Sequence, residues 1–269
     1  MNTKITKKAY PSDLSESEWQ LIMPHLPSPS PTGRPLKWHW WDLLDGMFYI
    51  LQTGCQWRHL PGDFPPWQTV YRYFRWLQLS QFWLTLNDFS SRQWRKQVGK
   101  EAEPTAASID SQSVKASDTG CFHGYAAGKK IKGAKRHILV DTLGLLITVV
   151  VHSAATQDYH GAKQVFEKAK KSSRTERLEL VWADGVYDRG GASEAAANCD
   201  WKLEIVKRSD DQTGFVVLPK RWVVERTFGW LMKCRRLARE YERQATTSKT
   251  FIYLSMCRLL LRRLAILDF

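Results

Sequence analysis

Three acids in this chain sit in settings that set them apart from the rest. Asp110 lies in "AASIDSQSVKAS", behind a short apolar lead-in and ahead of small polar residues; Asp184 lies in "LELVWADGVYD"; Glu225 lies in "KRWVVERTFGW". Each alone has an ordinary explanation, because an Asp at a strand end commonly forms a turn and a Glu beside an Arg on a helix commonly forms a surface ion pair. As a set they offer chemistry. Three converging carboxylates repel unless cations neutralise them, and an all-oxygen donor set suits Mg2+ or Mn2+, which keep water and leave positions for phosphate oxygens. Two such ions about 3.5 to 4 Å apart would activate an attacking water or hydroxyl and stabilise the leaving oxygen of a phosphodiester. Zinc chemistry has no support. Cys55, Cys121, Cys199, Cys234 and Cys257 are scattered without C-x-x-C spacing, and the seven histidines, His137 in "KRHILVD" among them, never pair at ligand spacing.

The elements that must position these acids follow from the patterning. Asp110 and Asp184 close the predicted strands "TAASID" and "LELVWAD", and the ends of strands are where α/β sheets present ligand-binding residues. Neighbouring strands lie about 4.8 Å apart, so two acids ending adjacent strands can share cations. "KRHILVDTLG" and "LLITVVVHS" read as two more strands joined by a tight turn at Asp141 to Gly144, and "LEIVKR" as another. A helix is expected in "DYHGAKQVFEKAKKS", with Ala162, Val165, Phe166 and Ala169 on one side. Glu225 belongs to a long basic helix, "KRWVVERTFGWLMKCRRLAREYER", able to approach the same sheet edge. This order of elements predicts a mixed α/β domain over residues 101–269.

Residues 1–100 read as helical. "LSESEWQLIMPHL" offers Ser15 as an N-cap with Glu18 three residues on, a capping box, and "PSPSPTGRP" at residues 27–35 reads as a linker. "WHWWDLLDGMFYILQTG" has helical spacing through Leu43, Met47, Ile50 and Leu51 and stops at Gly54. After the turn-rich "WRHLPGDFPPW", "QTVYRYFRWLQ" carries an apolar stripe of Val70, Phe74 and Leu77, with Arg72 and Arg75 projecting elsewhere. Two helices around such a turn form a helix-turn-helix-like region whose second helix can enter a major groove.

Charge points the same way. Forty Lys and Arg against 27 Asp and Glu leave a net charge of +13, which calls for a strongly anionic partner, most economically nucleic acid. Lys129, Lys130, Lys132, Lys135 and Arg136 crowd "GKKIKGAKRH", an arrangement suited to phosphate contacts. Arg221, Arg226, Lys233, Arg235 and Arg236 line the helix around Glu225, with Arg239 and Arg243 further along it. Arg34, in Gly33-Arg34-Pro35, and Lys37 have the composition of a minor-groove arm. No apolar stretch is long enough to span a bilayer, and "MNTKITKKAYPSDLSESEW" lacks the apolar core of a secretory signal, so a soluble cytoplasmic protein is expected.

Ordered blocks across nearly the whole chain resemble the insertion-sequence transposases of the bacterial IS5 family, within the wider IS4-like group of DDE transposases. "LSESEWQLIMPHLP", "GRPLKW" and "LQTGCQWRHLPGDFPPWQTVYRYFRWL" are similar to that family's N-terminal region; "SIDSQSVKA", "GYAAGKKIKGAKRHILVDTLGLLITVVVHSA", "TQDYHGA", "WADGVYD" and "RWVVERTFGWLMKCRRLAREYE" are similar to its catalytic domain. The resemblance implies an RNase H-like fold, a catalytic, metal-binding triad at Asp110, Asp184 and Glu225, and divalent metal. It also implies cleavage at terminal inverted repeats of duplex DNA followed by strand transfer into target DNA. A homodimer on that DNA, close to the bacterial nucleoid, is the expected working form. The group's Y-x2-R-x3-E-x6-K signature is met at Arg221 and Glu225, whereas Leu218 and Met232 hold the tyrosine and lysine positions and Lys233 follows one residue late. Two alternatives share these residues: a stand-alone metal-dependent nuclease, and a transposase-derived DNA-binding protein without catalysis.

Overall fold

The computed structural model describes residues 9–27, 37–117, 122–188, 190–206 and 219–267; Arg34, Cys121, Leu218 and most of the 27–35 stretch lie outside them. The front of the chain forms four helices, α1 (Glu16–Ile22), α2 (Trp40–Thr53), α3 (Trp67–Leu79) and α4 (Phe82–Gln97). The capping box is present: the Glu18 N–H donates to Ser15 Oγ at 3.2 Å and the Ser15 N–H to Glu18 Oε2 at 2.7 Å. Gly54 ends α2 in the left-handed conformation, φ 71°, where a side chain would be strained. Val70, Phe74 and Leu77 face inward from α3 as the stripe predicts.

Six strands follow: β1 (Ala106–Lys115), β2 (Gly124–Ala126), β3 (Ile131–Asp141), β4 (Leu146–Ser153), β5 (Leu180–Ala183) and β6 (Lys202–Ile205). β3 runs antiparallel to β1, β2 and β4, while β1, β5 and β6 are mutually parallel, giving the order β4-β3-β1-β5-β6 with the short β2 also on β3. This is the RNase H-like mixed sheet that the resemblance implies. The crossovers are α5 (Asp158–Ala169) between β4 and β5, and α6 (Ala192–Ala197) between β5 and β6. Both pack on one face of the sheet, closing a core of Ala107, Ile109, Leu139, Ile147, Val165, Phe166 and Val181. Strand alternation sends Ala134, Ile138 and Val140 to the opposite face. There they join Ile22, Leu44, Phe48, Phe74 and Trp83 of the front helices in one continuous core, so the boundary expected near residue 100 does not divide the packing.

The carboxyl end departs from expectation. In place of one long basic helix, the chain forms α7 (Pro219–Met232), α8 (Arg235–Ala238) and α9 (Ala245–Leu267). The Cys234 N–H donates to Leu231 O at 3.1 Å, and Cys234 is extended (φ −87°, ψ 112°), which ends α7 and reorients the backbone. Beyond α8, the Glu240 N–H donates to Lys115 O and the Ser117 N–H to Glu240 O, each at 2.9 Å, tying residue 240 to the end of β1. Buried Arg136 draws the segment inward, its Nη1 donating to Leu237 O at 2.8 Å and its Nη2 lying 3.3 Å from Glu240 Oε2. No Gly or Pro marks this break. The long apolar α9, which carries Phe251, Leu254, Cys257 and Leu261 into the core, has no counterpart among the elements expected from sequence. Among the described residues no helix is long and apolar enough to cross a membrane.

Candidate active site

The register of the central strands sets two of the three acids together. β1 and β5 pair in parallel through Ala106↔Leu180, Ala107↔Val181 and Ser108↔Trp182. Carried two residues further, that register sets Asp110 opposite Asp184, and alternation turns Ser108, Asp110, Trp182 and Asp184 toward the same face. β1 itself is longer than predicted and continues to Lys115 along β3, so Asp110 marks the end of the parallel pairing and not the end of the strand. Asp184 follows β5 directly, its Oδ1 accepting from the Val186 N–H at 2.9 Å in a tight helical turn over Gly185–Asp188.

α7 brings the third acid. Ser108 Oγ donates to Lys220 O at 2.7 Å, which pins the start of the helix to β1. Thr227 Oγ1 donates to Gly144 O at 2.8 Å and Arg226 Nη2 to Leu143 O at 3.0 Å, which pin its middle to the β3–β4 turn. Between these anchors, Arg221 extends its Nη2 to 3.6 Å from Asp184 Oδ2 and 3.8 Å from Glu225 Oε1. The guanidinium thus links the acid on the sheet to the acid on the helix.

The electrostatics express a shortage of positive charge. Burial, with Asp184 adding to it, pushes the Asp110 carboxyl up from 3.8 to about 6, against the stabilising Ser111 N–H, Arg221 and Lys129. Among the described residues, no three His, Cys, Asp or Glu side chains are gathered tightly enough to hold an ion as they stand. The three acids would nevertheless fit a hard divalent cation: the atoms they offer are all carboxylate oxygens, and Arg221 already supplies positive charge between two of them.

The basic residues divide into two groups. Lys37, Arg72, Lys129, Lys130, Lys132, Lys233 and Arg235 are exposed, and Arg75 is half-buried beside its partner Gln78. Lys129 and Lys130 occupy the β2–β3 turn, where Lys130 takes φ 51°. Four others are engaged by protein groups: Lys135, Arg136 and Arg236 are buried and Arg226 is partly exposed. Lys135 Nζ contacts Thr156 O at 2.7 Å and Asp158 Oδ1 at 3.0 Å, and Arg136 is fully buried against Glu240. Arg236 Nη2 lies 2.7 Å from Glu242 Oε1 while its Nη1 donates to Cys55 O at 3.0 Å. Arg226 is sandwiched between Trp222 and Trp230 at 4.6 and 4.8 Å from their ring centres, and Trp230 stacks in turn on Arg263 at 4.4 Å. The sequence shows a run of charges at 129–136; position along the strand separates them, the exposed lysines lying in the β2–β3 turn and at the start of β3, and Lys135 and Arg136 further along, where both faces are covered.

Comparison with known proteins places the chain in a family. Residues 101–260 match the family described as "Transposase DDE domain", and residues 14–87 match "Putative transposase of IS4/5 family". A curated relative, the putative transposase for insertion sequence element IS402 of Burkholderia cepacia, is 28% identical over 130 residues, spanning 46% of this chain and 61% of the relative's length. Solved structures with similarity include the Mos1 mariner paired end complex with Mn, at TM-score 0.33 and 9% identity over 88% of this chain and 80% of the other. A pre-cleavage Mos1 transpososome gives TM-score 0.30 and 7% identity over 90% and 82%. Because the first match covers more than half of the 269 residues, the chain belongs to the DDE transposase family.

Proposed function

We propose that this protein is a transposase that cuts DNA at the inverted-repeat ends of an insertion sequence and joins the freed strand to target DNA. The observation that carries the reading is the set of three acids: Asp110 on β1, Asp184 at the end of the adjacent parallel β5, and Glu225 on α7, with the Arg221 guanidinium between Asp184 and Glu225. Membership in the DDE family implies use of a divalent metal. We take that metal to be Mg2+ or Mn2+, two ions per site, held by Asp110, Asp184 and Glu225. When bound, such ions activate the attacking oxygen and neutralise the leaving one.

The chain's own residues have separable tasks in this reading. Arg221 offsets the charge of Asp184 and Glu225 while the site is metal-free, and becomes available to a phosphate oxygen once cations take over that role. Lys129, Lys130 and Lys132 neutralise phosphates beside the site. Arg72 and Arg75 on α3 read base edges, because a site that contacts only phosphates carries little sequence information. The working form is a homodimer on duplex DNA, associated with the bacterial nucleoid.

The test is a strand-transfer assay with Mn2+ and duplex DNA carrying the parent element's ends. Cleaved and joined products support the reading. Cleavage without joining would replace it with a nuclease, and binding without cleavage with a DNA-binding protein.

A further inference from the structure

The face of the sheet opposite the three acids carries a polar cluster that DNA chemistry does not touch directly. Asp158, the first residue of α5, receives two donors on one oxygen, Oδ1, from Ser111 Oγ at 2.7 Å and Lys135 Nζ at 3.0 Å, with His137 Nε2 lying 3.3 Å away. His137 Nδ1 in turn meets His152 Nε2 at 2.8 Å. Burial holds both imidazoles below their ordinary value, His152 at about 4, so Lys135 is the cation that balances Asp158. The placement of α5 depends on Gly161, where a Cβ would come within 2.3 to 2.7 Å of the His137 ring atoms. The helix can therefore sit close enough for Asp158 to reach the strand only if residue 161 lacks a side chain.

This cluster is one residue away from the acids. Ser111 alternates with Asp110 along β1, pointing down to Asp158 while Asp110 points to α7, and its backbone N–H donates to Asp110 Oδ1 at 2.6 Å. The second acid is tied to the same ground. The Tyr187 N–H donates to Asp184 O at 3.1 Å, and the buried Tyr187 ring lies on the Asp158 side, 6.2 Å from the His137 ring. Asp158 is poorly suited to ligate a cation itself, since its Oδ1 is already occupied by a lysine and a hydroxyl.

We propose that Asp158 is a positioning residue: through Ser111 it fixes the β1 backbone so that the Ser111 N–H holds the Asp110 carboxylate in the orientation that receives a divalent cation. The proposal rests on the reading of Asp110 as a metal ligand. Partners that orient a metal ligand commonly govern affinity by about 10- to 100-fold.

The test is direct Mn2+ binding to the full chain without DNA, read from the electron paramagnetic resonance signal of free Mn2+, with thermal unfolding measured alongside. Ser111→Ala and Asp158→Asn are expected to weaken Mn2+ binding by about 10- to 100-fold, with Ser111→Thr, which keeps the hydroxyl, restoring it. Ser111→Ala removes one hydroxyl and leaves the Asp158–Lys135 pair intact, so it remains decisive if Asp158→Asn fails to fold. Wild-type affinity in Ser111→Ala, with binding lost in Asp110→Asn, would overturn the positioning role and leave the metal cradle standing. Wild-type affinity in Asp110→Asn would overturn both. Equal weakening in Ser111→Ala and Ser111→Thr would also overturn it, because the hydroxyl would then be irrelevant.

Discussion

Replacing Asp110 by Asn should stabilise the metal-free protein while removing its activity. Asn keeps the shape and retains an oxygen to accept from the Ser111 N–H, but it carries no charge to be buried or set beside Asp184. The Asp110 carboxyl lies at about 6 instead of 3.8, a displacement worth about 3 kcal/mol at about 1.36 kcal/mol per unit. Screening by water on the α7 side reduces the expected gain to about 1 to 3 kcal/mol. The sign follows from linkage. Between pH 3.8 and about 6 the folded wild type holds a proton that the unfolded chain has released, so its stability falls as pH rises through that window and stays low above it. Asp110→Asn escapes this fall. Its advantage should be absent below about pH 4, grow from there to about pH 6, and be constant at pH 7.5. Calorimetry in EDTA should show a melting temperature about 2 to 6 °C above wild type at pH 7.5. A variant that melts below wild type at pH 7.5, or an advantage equal at pH 4 and pH 7.5, would refute the argument that burial, aided by Asp184, disfavours the ionised Asp110.

Other perturbations test separate parts of the account. Replacing Lys129, Lys130 and Lys132 together by Ala should flatten the salt dependence of duplex binding by about 0.9 in log–log slope for each phosphate no longer neutralised; an unchanged slope would show that these lysines face bulk water in the complex. Arg72→Ala with Arg75→Ala should lower the preference for terminal-repeat over random duplex by about 1 to 3 kcal/mol for each base read, measured by competition binding, and an equal weakening on both DNAs would reassign the arginines to the backbone. Glu240→Ala strands the buried Arg136 and should cost about 3 to 5 kcal/mol in urea unfolding; a cost under about 1 kcal/mol would show that Arg136 does not depend on Glu240.

Legibility in the sequence follows the range of the forces involved. Strands β1 and β3 to β6, helices α2, α3 and α5, the Ser15 capping box and the Asp141–Gly144 turn are readable because periodicity, caps and turn residues act within a few positions. The grouping of Asp110 with Asp184 is readable from strand ends in an α/β order, although β1 runs five residues past Asp110. What stays hidden is decided by contacts distant in sequence. Arg136 and Glu240, 104 positions apart, anchor the segment beyond α8 to the sheet, and no Gly or Pro marks where the basic helix ends. Lys135 looks like part of a phosphate-binding run, yet Asp158, 23 positions on, claims it. Asp158 and Gly161 stand together in "TQDYHGA", where an Asp at a helix start reads as an ordinary first-turn acid until His137 is seen beneath it. The apolar, continuous α9 follows a charged stretch with no clear start signal, and its role in joining the front helices to the sheet depends entirely on tertiary packing.

The central claim is that Asp110, Asp184 and Glu225 act as one metal-dependent site on DNA. It is tested most directly by assaying Asp110→Asn, Asp184→Asn and Glu225→Gln, each shown to be folded, for Mn2+-dependent cleavage of duplex DNA carrying the element's ends. All three should bind that DNA with near wild-type affinity and cut it no faster than a metal-free control. Robust cleavage by any one of them would contradict the account by removing that acid from the site.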